Sequence, residues 1–302
     1  MSTIDKWTHH DIPDQSGKTA IITGSNSGIG FETAKALAGK GATVIMACRD
    51  MQKCSWATDA ITAVFPHARI NSMPLDLGDL QSIREFADTF RNQYDELHIL
   101  INNAGVMMPP YAKTKDGFEL QFGVNHLGHF ALTGLLMDHL LKTEKSRIVS
   151  VSSIVHLAGK LHFDDLNWVK RRYLKYKAYG DSKLANLYFT FECQRRLTKA
   201  GTDTIAVIAH PGWTATNLQR HSLFSRIFNP ILGQKPQEGA WPLEYAATSS
   251  DVNGGEYFGP RGFIELQGHP VKVKAKSLAY DEEIARRLWH VSEKMTGVHY
   301  FI

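Results

Sequence analysis

The chain has 302 residues, 43% of them hydrophobic, which is enough to bury a large core in one α/β domain or at most two. Its net charge of +4 is spread over many acidic and basic side chains, with no polybasic run of the kind that binds nucleic acid. No stretch approaches the about 18 apolar residues of a membrane span. Met1–Gly17 is polar and lacks a signal-peptide core, and the cysteines Cys48, Cys54 and Cys193 form no Cys-x-x-Cys pair, so a cytoplasmic, reducing location is the expectation.

The pattern alternates strand and helix. Lys18–Thr23 is an apolar run that ends at a glycine-rich turn, and Gly28–Lys40 has helical periodicity that stops at Gly41. A buried-type strand follows at Ala42–Ala47, a helix at Met51–Phe65 that ends before Pro66, a strand at Arg69–Leu77 and a helix at Leu80–Tyr94. His98–Asn102 is a fourth strand, Gly117–Leu141 a long helix, Arg147–Ser152 a fifth strand, Tyr179–Lys199 a helix and Thr204–Ala209 a sixth strand. Continuous apolar strands bounded by helices predict a parallel sheet covered on both faces. Right-handed crossovers then give a Rossmann-like, doubly wound α/β/α sandwich. With no repeat, low-complexity tract or clear linker, residues 1–302 are expected to form one domain.

Between the first strand and first helix lies Thr23-Gly24-Ser25-Asn26-Ser27-Gly28-Ile29-Gly30. Glycines at this junction permit a tight turn and close backbone approach to a pyrophosphate, and the helix start offers free N–H groups and a positive dipole end. Three glycines alone are common in loops, but the strand–turn–helix setting favours dinucleotide binding. An NAD site usually places an acidic residue at the end of the second strand. Cys48 stands there instead, followed by Arg49, whose guanidinium suits a 2′-phosphate through bidentate, charge-assisted bonds. NADP(H) is therefore favoured over NAD(H). Asp50 is the contrary feature, and its expected role is to cap the next helix.

Tyr-x-x-x-Lys occurs three times, as Tyr111/Lys115, Tyr173/Lys177 and Tyr179/Lys183. On a helix this spacing puts both side chains on one face, where an ammonium lowers a phenol pKa toward working pH. The first copy reads as loop and the second lies in a basic, aromatic stretch around Lys170-Arg171-Arg172, expected to be solvated. Only Tyr179/Lys183 opens a long helix directly downstream of the fifth strand. Its setting, Tyr179-Gly180-Asp181-Ser182-Lys183-Leu184-Ala185-Asn186, together with Thr-Gly-x-x-x-Gly-x-Gly and Asn102-Asn103-Ala104-Gly105, resembles the short-chain dehydrogenase/reductase family over about residues 17–260. The glycine spacing is that of its ordinary branch, not of the extended epimerases and dehydratases.

The resemblance implies hydride exchange between a nicotinamide cofactor and a carbonyl or alcohol. Tyr179 would be the acid/base, Lys183 would stabilise the tyrosinate and bind the nicotinamide ribose, and Ser153 would hold the substrate oxygen, with Ser152 as the rival match. Asn125 would support a proton relay. For the cofactor it implies Gly24, Ser25, Asn26, Ser27, Gly28, Ile29 and Gly30 at the phosphates, and Asp76 and Leu77 near the adenine. It adds Asn103, Ala104 and Gly105 beside the cofactor, and Pro211, Gly212, Thr214 and Thr216 at the carboxamide. An insert from Gly159, with Ala-Cys-Arg-Asp and Ser-Lys-Leu-Ala-Asn, is similar to the retinol-dehydrogenase-like group. A segment about 213–235, apolar at Leu218–Leu232, is expected to cover a hydrophobic aldehyde or ketone, or else to pack as ordinary helix. Family members form dimers or tetramers through the helices around Gly117–Leu141 and Tyr179–Lys199, or remain monomers. His126 and His129, one turn apart, lack zinc-like partners, so no metal is expected. The competing readings are a cofactor-binding regulator or scaffold without turnover and an extended-branch epimerase. NADPH consumption on a carbonyl panel separates them from the oxidoreductase.

Overall fold

The computed structural model describes residues 6–214 and 233–302. Eight strands form one sheet in the order β3-β2-β1-β4-β5-β6-β7-β8. They are β1 Thr19–Thr23, β2 Thr43–Cys48, β3 Arg69–Pro74, β4 Ile99–Asn102, β5 Arg147–Val151, β6 Ile205–Ala209, β7 Tyr257–Pro260 and β8 Pro270–Lys272. All neighbours are parallel except β7 and β8, which pair Gly259 with Val271 in antiparallel register.

Side chains alternate across each strand, which builds two cores from one sequence run. On β1, Ile21 enters a core with Leu100, Ile83, Phe86 and Phe130, while Ala20 and Ile22 enter the opposite one with Leu37, Ile61 and Leu243. Two of the helices that cover these faces start where a side chain meets their free amides. Asp50 caps α2 (Met51–Val64) by accepting from Lys53 N at 3.1 Å, and Asp79 caps α3 (Leu80–Gln93) through Gln81 N at 3.0 Å. Ile83, Phe86, Ala87 and Phe90 then give α3 one buried stripe.

The expected helix at 117–141 is shorter and broken: α4 (Leu120–Phe122), a π-helical turn (Gly123–Leu127), α5 (Gly128–Leu135) and α6 (Met137–Lys142). Gly117 instead takes a left-handed turn, φ 87°. The next long helix, α7 (Lys175–Lys199), begins one turn before Tyr179 and is buried from Ala178 to Cys193. The third strand ends at Pro74, three residues early, because Asp76 turns the chain toward α3.

Three further helices flank the sheet among the described residues. The helix α8 (Pro236–Thr248) packs on α1 (Gly28–Gly39), and α9 (Glu282–Thr296) lies along α7. Trp289 of α9 meets Phe130 of α5 edge to face, with ring centroids 5.2 Å apart, and stacks on Phe189 of α7. Tyr300 closes this cluster by donating to Phe130 O at 2.6 Å. The outer side of α5 and α7 is thus covered by the chain's own C-terminal helix. No helix among the described residues is long and apolar enough to cross a membrane.

Candidate active site

The chain runs from β1 outward to β3, then returns across the sheet to β4, so a crevice opens at the carboxyl ends of β1 and β4 where ligands of such sheets bind. The loops after these two strands touch. A Cβ on Gly24 would stand 2.9 Å from Ala104 Cβ, and one on Gly30 would stand 2.5 Å from Asn103 Nδ2. Gly24 (φ 66°) is also left-handed, so glycine is required there on two counts, and Gly28 (φ 59°) is left-handed as well. Ser27 precedes α1 without capping it through its side chain, which leaves donors at the helix start for an anion. The Ser25 hydroxyl turns inward to Ile22 O at 3.0 Å, so only its backbone can serve that cradle. These features fit a dinucleotide pyrophosphate.

Thr23 ties the two loops together. Its hydroxyl accepts from Asn103 N and Ala104 N, both at 2.9 Å, and lies 2.9 Å from His129 Nε2. His129 Nδ1 lies 3.0 Å from Asn125 O. A carbonyl only accepts, so Nδ1 carries the proton and Nε2 accepts from Thr23. Burial holds the His129 pKa down to about 4, so the ring stays neutral for this task. Asn103 adds a bond from Nδ2 to Thr23 O at 2.8 Å. His126 faces the other way, to Ser292 Oγ at 2.8 Å. Among the described residues no cluster of three metal-ligating side chains occurs.

At the end of β2, Cys48 is buried and Arg49 is exposed beside the cradle. Asp50 is occupied by its helix cap and by Lys53, 2.7 Å away, which removes the objection it raised. Asp76 and Leu77 follow β3. Asp76 Oδ1 accepts from Gly78 N at 2.9 Å, and Leu77 is packed against Gly128.

Four side chains converge from three separate elements beyond β4 and β5. Tyr179 and Lys183 share one face of α7, and Lys183 Nζ lies 5.7 Å from the Tyr179 ring centre. Lys183 donates to Val151 O at 3.0 Å, and burial pulls its pKa down to about 8. Burial pushes the Tyr179 phenol up, and a hydrogen bond with the Ser153 hydroxyl holds it partly back. Ser152 cannot take that place, because its hydroxyl donates to Lys183 O at 2.9 Å. Asn125 sits in the π-helical turn. Its Oδ1 accepts from Val106 N at 2.8 Å, and its Nδ2 donates to Val106 O at 3.0 Å and to Ser182 Oγ at 2.9 Å. Gly105 lies between Asn125 and Lys183, where a Cβ would be 3.1 Å from Asn125 Oδ1 and 3.7 Å from Lys183 Nζ.

The insert after Gly159 is clamped to the same helix. Arg171, expected to be solvated, bridges Asp165 and Asp181 and stacks over Trp168 at 3.5 Å. Asp181 also accepts from Lys160 N at 2.8 Å, and burial pushes its carboxyl up to about 6. The Tyr173 hydroxyl donates to the buried Glu119 at 2.8 Å, which gives that Tyr-x-x-x-Lys copy a structural use. Tyr111 and Lys115 lie in the irregular segment before α4.

Beyond β6, Gly212 (φ 64°) passes so close to Leu266 that a Cβ would be 2.3 Å from its carbonyl oxygen. Thr214 donates to Pro211 O at 2.8 Å. Thr216 and the expected covering segment 218–232 lie outside the described residues. Sequence reasoning missed Thr23 and His129 as site residues. The signal for Thr23 was its place at the head of the glycine turn. For His129 the sequence raises a metal-ligand reading, whereas the structure uses the neutral ring as a hydrogen-bond partner of Thr23.

A family model described as short chain dehydrogenase matches residues 18–224. Human retinol dehydrogenase 13 is 44% identical over 293 residues, covering 93% of this chain and 85% of that protein. Mouse retinol dehydrogenase 12 is 43% identical over 299 residues, covering 97% and 90%. A crystal structure of an uncharacterized protein from Mycobacterium paratuberculosis superposes with a TM-score of 0.85 at 41% identity, covering 98% of this chain and all of that one. The chain belongs to the short-chain dehydrogenase family, in its retinol-dehydrogenase-like group, and is an NAD(P)-dependent oxidoreductase acting on CH–OH or C=O groups.

Proposed function

We propose that this chain interconverts a hydrophobic aldehyde or ketone and its alcohol with NADP(H), using Tyr179 as the acid/base. The observation that carries this reading is the convergence of Ser153, Tyr179, Lys183 and Asn125 beside the glycine cradle. When bound, the nicotinamide supplies or accepts the hydride at the substrate carbon. Ser153 and Tyr179 hold the substrate oxygen, and Tyr179, kept protonated by burial, gives it a proton during reduction. Lys183 carries charge below about pH 8 and steadies the tyrosinate left behind. Asn125 holds the Val106 backbone, and with it the wall opposite Lys183.

Arg49 supports NADP(H), because it is exposed at the strand end where no carboxylate is free to take a ribose hydroxyl. The relatives named retinol dehydrogenase support an apolar alcohol or aldehyde as substrate. The strands of the described residues form one sheet, which supports a single domain. The test is a substrate screen, from short aliphatic aldehydes to retinal, with NADPH and NADH side by side. Turnover of apolar aldehydes with NADPH is the expected result. A strong NADH preference would overturn the Arg49 assignment, and turnover confined to small polar carbonyls would overturn the substrate class.

A further inference from the structure

Cys48 closes β2 and Cys54 lies in the first turn of α2, with Arg49–Lys53 between them. Their sulfurs are 2.7 Å apart, within an ångström of the about 2.0 Å of a disulfide bond. Cys54 Sγ also meets Ser72 Oγ at 3.4 Å and Met46 O at 3.6 Å, and Cys48 Sγ meets Ser25 Oγ at 3.7 Å. The bond shared by the two thiols lowers the Cys54 pKa and raises that of Cys48. One sulfur is thereby readied for attack and the other kept as a thiol to resolve it. Cys193 belongs to the core on the opposite face of the sheet. No step of the proposed carbonyl chemistry uses the pair.

We infer that Cys48 and Cys54 form a dithiol oxidation site, closed to an intrachain disulfide by a small hydroperoxide such as hydrogen peroxide. The Cys54 thiolate attacks one peroxide oxygen. The O–O bond breaks, Cys54 becomes a sulfenic acid, and the departing hydroxide takes the thiol proton as water. Cys48 sulfur then attacks Cys54 sulfur, the S–O bond breaks, and a second water leaves with the Cys48 proton. Two thiols lose two electrons and one peroxide becomes two waters. Both sulfurs are buried, so the oxidant must be small and must enter as the first turn of α2 opens. The link would bracket Arg49 and Asp50. Its effect on the cofactor rests on the reading that Arg49 receives the 2′-phosphate.

The full chain is treated with hydrogen peroxide, denatured, alkylated and digested with trypsin. Wild type should take up one alkyl group at Cys193 instead of three, and the Gly41–Arg49 and Cys54–Arg69 peptides should be joined until a reductant separates them. Cys193→Ala should still form the link, and Cys54→Ser should not. Three alkyl groups after treatment, oxygen adducts without a joined peptide, or pairing through Cys193 would each overturn the inference. The NADPH dissociation constant is read in parallel and should shift several-fold in the linked protein but not in treated Cys54→Ser. A link without that shift keeps the oxidation site and removes Arg49 from the phosphate reading.

Discussion

Replacing Thr23 by valine keeps the shape of the side chain and removes only its hydroxyl. That hydroxyl serves three partners at 2.9 Å: it accepts from Asn103 N and Ala104 N and donates to His129 Nε2. Each partner left unpaired costs about 1–3 kcal/mol when buried. Asn103 N keeps a second bond, to Ile101 O at 3.0 Å, and the half-buried Ala104 recovers part of its loss from water, so the buried His129 bears most of the cost. The summed loss is about 3 kcal/mol, against a typical stability of roughly 5–15 kcal/mol. The same change releases the loop that Asn103 and Gly105 hold beside the cradle, so NADPH affinity should fall about tenfold, or ~1.4 kcal/mol. Urea denaturation followed by fluorescence measures the first effect and NADPH titration the second. Thr23→Ser, which restores the hydroxyl, should recover most of both. A valine variant with a loss under about 0.5 kcal/mol and an unchanged NADPH constant would refute the idea that this network joins the two loops.

Tyr179→Phe should lower kcat/KM by about 10²–10⁴-fold in steady-state assays while NADPH binding stays within a few-fold of wild type, since the phenol is the proton donor and the ring still fills its place. Arg49→Ala should raise the KM for NADPH by about 10- to 100-fold, the equivalent of ~1.5–3 kcal/mol for a charge-assisted bond, and leave that for NADH unchanged. The pH profile of carbonyl reduction should be flat through neutrality and fall above about 8, because Lys183 loses its proton there while Tyr179, raised by burial, keeps its own; a rate that climbs through pH 8 would contradict this assignment. Trp289→Ala should cost about 3–5 kcal/mol in denaturant melts and, by uncovering Phe130 and Phe189, cause self-association in sedimentation runs.

The first six strands were legible because five of them are short apolar runs between helical periods, while β3, the more polar Arg69–Pro74 at the sheet edge, was placed by its position between two helical periods. The end of the sheet was not. The strand β7 is four residues that contain a glycine and a proline, and β8 is three residues that begin with proline. Pro242 inside α8 hides a helix whose turns are held by packing on α1. The helix α9 did carry a signal, an Asp281 cap followed by Ala285, Leu288, Trp289 and Ser292 on one face. At the site, the spacing of Tyr179 and Lys183 was visible and the start of their helix was not, because Leu174 caps nothing with its side chain. The Arg171 bridge was hidden for another reason: its partners, Asp165 and Asp181, come together only after the insert folds back on α7.

The π-helical turn Gly123–Leu127 sets a limit on what this chain can lose or gain in length. Each helical residue turns the chain by about 100°. A wider turn places one more residue between α4 and α5 than an α-helix would, and Asn125 sits in the middle of that turn. Upstream, Asn125 must meet Val106 and Ser182, while downstream His129 must meet Thr23 and Phe130 must meet Trp289. Exchanging one side chain here disturbs one of these meetings. Deleting or inserting one residue rotates the two sets against each other, so that no choice of side chain can satisfy both. Across relatives of this protein, variation in residues 120–130 is therefore expected to be substitution at constant length.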